Sequence, residues 1–163
     1  MRARSAEDIL ELAAELDKDM RSLKPLLEEN SQAALRIAAG AKGSLDYAAL
    51  GYTIHNIYCL MENYFLRIAK TFENNIEGES WHRDLVRRMT LDIEGLRPAF
   101  LDDTTALAID ELRSFRHVFR NAYQGGLKGA KVAELQQTLP ETLEAFAQRH
   151  EIFIKKLRAM AGT

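Results

Sequence analysis

An all-α fold, an up-and-down bundle of about five long helices, is what this sequence predicts, and three observations carry the prediction. Glycine occurs 9 times and proline 3 times in 163 residues, so the chain has few places to turn and long elements between them. Apolar residues recur at steps of three and four along most of that length, the spacing of one helix face. Hydrophobic residues make up 47% and charged residues 28%, which supplies a real core and excludes disorder as the main state. A single domain over residues 1–163 is the expectation at this size.

Ser5, with Asp8 three residues on, marks the start of a first helix along which Ile9, Leu12, Leu16, Met20, Leu23 and Leu27 recur. Pro25 is expected to kink that helix, which runs to about residue 39 before Gly40 and Gly43 end it. The second helix, from 46 to about 74, is the clearest: Ile54, Ile57, Met61, Tyr64, Phe65, Ile68 and Phe72 line one face. Ser80 can cap a shorter third helix over roughly 81–92, and Arg97-Pro98 marks a loop, because the residue before proline avoids the helical region. Asp102 or Asp103 opens a fourth helix that runs to Gln124 and stops at Gly125-Gly126. A last helix occupies about 132–160, with Pro140 bending it or starting it afresh.

The net charge is −2, too small to recruit nucleic acid or an anionic membrane by itself, so any basic site must be local. The one cysteine, Cys59, excludes an internal disulfide and a thiolate-rich zinc site. Nor does any stretch have the apolar length of a membrane span, and the first residues run into Glu7 and Asp8 rather than an apolar signal core. Cytoplasmic residence without membrane attachment is the expectation. The histidines are scattered over four helices without ligand spacing, so no metal and no cofactor are expected.

The sharpest local signal lies in the fourth helix. No acidic residue occurs from Leu112 to Ala133, while Arg113, Arg116, Arg120, Lys128 and Lys131 fall inside that window. On a wheel of 100° per residue, Leu112, Phe115, Val118, Phe119 and Ala122 form the face expected to pack in the bundle. Arg113, Arg116, His117, Arg120, Asn121, Tyr123 and Gln124 form the other, with no carboxylate expected on that stripe. Guanidinium forks bind phosphate bidentately, and His117 is the group on this face whose ordinary pKa lies near neutrality. Such a set suits cleavage of RNA by its own 2′-hydroxyl: a base takes the hydroxyl proton, arginines hold the phosphorane charge, and an acid protonates the leaving oxygen. The bland alternative is a solvated cationic face, or one paired with acids of a neighbouring helix or subunit.

The segment Leu112-Arg113-Ser114-Phe115-Arg116-His117-Val118-Phe119-Arg120-Asn121-Ala122-Tyr123 resembles the signature helix of the HepT-like branch of the HEPN superfamily. The resemblance extends to His55-Asn56-Ile57-Tyr58 and Glu62, to Trp81-His82-Arg83-Asp84-Leu85, and to the helix order, and so covers most of the chain. It implies a homodimeric HEPN-like bundle whose signature helices meet across a two-fold cleft, acting as a metal-independent ribonuclease toxin on an RNA substrate. It also implies a partner antitoxin, a small nucleotidyltransferase that silences the toxin by placing AMP on the motif tyrosine. The family motif reads arginine, a polar residue, three residues, histidine, one residue, tyrosine; Arg116, His117 and Tyr123 match, and Asn121 stands where the histidine belongs.

An amide carries no proton in acid–base catalysis, though it can hydrogen-bond a phosphate or a base. The catalytic candidates are therefore Arg116, His117 and Asn121. His117 lies about 40° from Asn121 on the wheel and can take over the proton transfer. Arg113 and Arg120 extend the anion track, and Tyr123 is the modification site. The alternative is an attenuated or inactive dimer that binds a nucleotidyltransferase and serves as its substrate. His55 and Glu62, seven residues apart on one face, are either a buried pair or partners of the cleft. His82 beside Trp81 is expected to pack at its helix start, and His150, between Arg149 and Glu151, reads as surface. Tyr47, Tyr52, Tyr58 and Tyr64 read as core and interface rather than base-stacking platforms.

Overall fold

A computed structural model describes residues 4–73, 81–122 and 125–163, apart from the side chain of His82. Five helices follow in order: α1 Ala6–Ala38, α2 Ser44–Phe72, α3 Trp81–Arg88, α4 Asp103–Arg120 and α5 Gly129–Met160. Four are long and α3 is short. Among the described residues no helix is long and apolar enough to cross a membrane.

Local chemistry sets most helix ends. Ser5 and Asp8 close a capping box on α1: the Asp8 amide donates to Ser5 Oγ at 3.1 Å and the Ser5 amide to Asp8 Oδ2 at 3.0 Å. Pro25 lies inside α1, which continues through it. Gly40, at φ +104°, takes the left-handed turn that ends α1, and its amide donates to the Ile37 carbonyl at 3.0 Å. Asp102 caps α4 by accepting from the Thr105 amide at 2.7 Å, and its carboxylate also pairs with Arg149 on α5.

Other ends differ from the sequence expectation. The third helix stops at Arg88 rather than near 92, because the side chain of Arg97 takes over carbonyls that a longer helix would use. Its guanidinium donates to the carbonyls of Arg88 at 2.8 Å and Leu91 at 3.0 Å, and to Glu73 at 2.6 and 3.0 Å. Helix α4 ends at Arg120, with Asn121 as its C-cap, rather than at Gln124. Helix α5 starts at Gly129 instead of near 132 and runs unbroken past Pro140. Gly129 lies flush against the ring of Tyr47, where a Cβ would come within 2.8 Å. Asn74, Ser80 and Gln124 lie outside the described residues.

The core is centred on α2, which packs against all four other helices. Ile54, Ile57, Met61, Tyr64, Phe65 and Ile68 are closed to solvent and meet Leu12 and Leu16 of α1, Ile109, Leu112 and Phe115 of α4, and Phe146, Phe153 and Leu157 of α5. Contrary to the surface reading, His150 is buried. Its Nδ1 lies 2.8 Å from Tyr64 Oη and its Nε2 3.0 Å from Asp17 Oδ1, so one imidazole joins α2, α5 and α1. Charged neighbours in sequence do not settle exposure, because adjacent residues on a helix point 100° apart.

Candidate functional site

The cationic residues of α4 stand at a seam with α2, which glycine makes close. A Cβ on Gly51 would meet Leu127 at 3.0 Å, Phe115 at 3.3 Å and Phe119 at 3.4 Å, so the two helices approach where α2 has no side chain. Leu112 and Phe115 are buried there and Phe119 partly so, as the wheel predicts. Val118, expected on the packed face, is 50% exposed.

From Gly51, the next residues on the same side of α2 are His55, Cys59 and Glu62, at helical spacing. The imidazole of His55 stacks on Phe119, centroids 5.2 Å apart and planes 27° apart. His55 Nε2 lies 3.5 Å from Cys59 Sγ. Glu62 Oε2 lies 3.6 Å from Arg116 Nε, and the two side chains are 8% and 22% exposed. Glu62 is thus set against Arg116, while His55 contacts Phe119 and Cys59.

Expectation and structure part company over charge. Arg113 is clasped by Asp110 one turn earlier, at 2.6 and 3.3 Å. The stripe therefore does carry a carboxylate, just outside the acid-free window, and a second one, Glu62, faces Arg116 from α2. No acid pairs with Arg120 among the described residues, and both it and His117 are exposed. Asn121 is exposed and turned to its own helix: Nδ2 donates to the His117 carbonyl at 2.8 Å. Tyr123 lies outside the described residues, so the modification site is not placed.

The seam perturbs its titratable groups. Burial first, then Arg116 and Arg120, holds the His55 pKa below its ordinary value, against Glu62. Burial pushes the Cys59 thiol up, opposed by Arg116. Burial, helped by Glu62, pushes the Tyr58 phenol far up, and Arg113 and Arg116 oppose it. Among the described residues, the buried side-chain nitrogen and oxygen atoms without a hydrogen-bond partner are His55 Nδ1, Tyr58 Oη and Arg116 Nε. All belong to this seam. Buried polar groups are ordinarily paired, so this cluster marks a place where hydrogen-bonding capacity is held in reserve.

Sequence reasoning reached Arg113, Arg116, His117, Arg120 and Asn121 but missed Cys59, Phe119 and Asp110 as members of the site. The spacing His55, Cys59, Glu62 was a readable signal for the α2 wall, but the stacking of Phe119 on His55 required the fold. Among the described residues, no group of three or more histidine, cysteine or acidic side chains could hold a metal ion.

A family model described as HepT-like protein matches residues 49–157, more than half of the chain. No curated protein and no solved structure matches it. The matched span contains the seam residues of both α2 and α4. The chain belongs to the HepT-like family of HEPN proteins.

Proposed function

We propose that this protein is a ribonuclease of the toxin class that cleaves RNA without a metal, acts as a cytoplasmic homodimer, and is restrained by a nucleotidyltransferase antitoxin. The observation that carries the reading is Arg116. Its guanidinium sits at the α2–α4 seam with Nε short of a hydrogen bond, Glu62 standing off at 3.6 Å, beside exposed His117 and Arg120 on the same helix. A phosphodiester oxygen satisfies that donor, and a planar fork suits it better than a point charge would.

In the reaction the RNA 2′-oxygen attacks the adjacent phosphorus, the phosphorus–O5′ bond breaks, and a 2′,3′-cyclic phosphate and a 5′-hydroxyl result. Arg116 and Arg120 hold the charge that develops on the non-bridging oxygens. His117 moves a proton. Asn121 orients the substrate through its amide, and Arg113 joins the phosphate track once Asp110 releases it. Tyr123 is the target of the antitoxin: its phenol oxygen attacks the α-phosphorus of ATP, takes AMP and releases pyrophosphate.

Cleavage of RNA should persist in EDTA and fall at least about 100-fold in Arg116→Ala and in His117→Ala. Unchanged rates in both variants overturn the reading. A second reading is supported by Asn121, whose amide sits at the motif histidine's place and caps its own helix. On that reading the chain is an attenuated or inactive dimer that serves as nucleotidyltransferase substrate. Cleavage absent from the native protein but gained in Asn121→His, together with AMP on Tyr123 after co-expression, supports it.

A further inference from the structure

The transesterification needs two proton-transfer groups, a base for the 2′-hydroxyl and an acid for O5′, and the motif helix offers one imidazole where the family pattern has room for two polar groups. From the geometry of the seam we infer that His55, on α2, is the general base of the cleavage, partnering His117 across Arg116. This inference rests on the ribonuclease reading above and adds to it a catalytic residue from a second helix.

Four features of the site point to His55. Its ring is already positioned, with Phe119 against one face and Cys59 Sγ 3.5 Å from Nε2. Its helix face leads to Glu62, which in turn lies against Arg116, so the imidazole and the guanidinium proposed to hold the phosphate stand at the same α2–α4 seam. Its hydrogen-bonding capacity is unspent: Nδ1 is closed to solvent and has no partner, and Nε2, the nitrogen left to take the proton, meets only a thiol, a weak donor and acceptor. His150 shows the opposite arrangement, with both ring nitrogens committed to Tyr64 and Asp17. Finally, burial and the positive charges of Arg116 and Arg120 outweigh Glu62 and keep the His55 ring neutral at neutral pH, the form that accepts a proton.

The steps balance. The 2′-hydroxyl gives its proton to neutral His55 as the 2′-oxygen bonds to phosphorus. The phosphorus–O5′ bond breaks, and protonated His117 gives its proton to O5′. His55 then releases its proton to water, and His117 regains one. The charged and titratable groups that bear on His55 are Cys59 and Glu62 on its own helix and Arg116 and Arg120 on α4.

The test is the pH dependence of kcat/KM for a short RNA, in native protein, His55→Gln and His117→Ala. It is paired with binding of a 2′-O-methyl version of the same RNA, which lacks the attacking hydroxyl. Native protein should lose activity on the acid side with a midpoint below 6.5, the ordinary histidine value. His55→Gln should lower kcat by about 100-fold or more, abolish that acid limb, and leave binding of the 2′-O-methyl RNA within about threefold. Thermal melting of His55→Gln and of the milder His55→Asn checks that the fold is intact. Cleavage by His55→Gln within about threefold of native, or an acid limb that survives the substitution, overturns this inference and leaves the ribonuclease reading standing. Native protein that cleaves no RNA overturns both.

Discussion

Replacing His150 with leucine strips the Tyr64 hydroxyl of its partner in a site water does not reach. Tyr64 is fully buried, and its ring meets Phe100 at 5.0 Å, Phe146 at 5.2 Å and Phe65 at 6.3 Å between centroids. An unpaired buried hydroxyl costs about 1–3 kcal/mol. Asp17, the other partner, is 31% exposed and keeps Arg158 at 3.3 Å, so its loss of His150 is largely made good by water. We therefore expect His150→Leu to destabilise by about 2 kcal/mol and Tyr64→Phe by about 1 kcal/mol. In the double variant both polar partners are gone and neither is left orphaned, so its cost should fall short of the sum by about 1 kcal/mol. Urea unfolding of the four proteins, with the slope held constant across them, measures this coupling. Costs that add to within about 0.5 kcal/mol would refute the Tyr64–His150 bond as the reason this imidazole is buried.

Asp110→Asn should free Arg113, tighten binding of a 2′-O-methyl RNA a few-fold and steepen its salt dependence by about one unit of log–log slope, read by fluorescence anisotropy; an unchanged slope would show that Arg113 does not face the anion. Asp102→Ala removes the α4 cap and should cost about 1 kcal/mol at pH 6. Because the Thr105 amide and Arg149 hold the Asp102 pKa below its ordinary 3.8, the cap's contribution is complete above that value and fades as pH falls through the lower folded value. Melting curves of the two proteins should therefore converge in acid. Arg97→Met should cost about 3 kcal/mol in urea unfolding, since the Arg97 side chain is 0% exposed and its loss leaves Glu73, 13% exposed, without its closer partner. A loss below about 1 kcal/mol would mean the loop before α4 closes without it.

Where a structural signal is local, the sequence displays it. Ser5 and Asp8 set the start of α1, and Asp102 the start of α4, through bonds that span three residues. The end of α3 was not legible, because the side chain that takes its last carbonyls comes from Arg97, nine residues beyond Arg88. The start of α5 was hidden for a similar reason: glycine reads as a breaker, yet Gly129 is where the helix must lie flat on Tyr47. His150 was legible by phase and missed by neighbourhood. It is one turn from Phe146, Phe153 and Ile154, all buried, while Arg149 and Glu151 face elsewhere.

The same contrast separates the scaffold from the candidate site. Histidine, tyrosine and arginine each have polar side-chain atoms closed to solvent in two conditions. His150, Tyr64 and Arg97 sit where neighbouring elements deliver matching partners: a phenol, a carboxylate and a set of loop carbonyls. His55, Tyr58 and Arg116 sit at the α2–α4 seam and each retain an atom without a hydrogen bond. Residue type cannot separate the two sets, and neither can helical periodicity, which places members of both sets on buried helix faces. The difference lies in what the opposing helix brings: across this seam α4 brings an aromatic ring against His55, and α2 brings Glu62 to 3.6 Å from Arg116 Nε, but neither supplies a hydrogen bond to those three atoms. An unpaired buried polar atom lowers stability by about 1–3 kcal/mol. Three such atoms converging on one seam set it apart from the rest of the described interior, where buried polar side-chain atoms have hydrogen-bond partners.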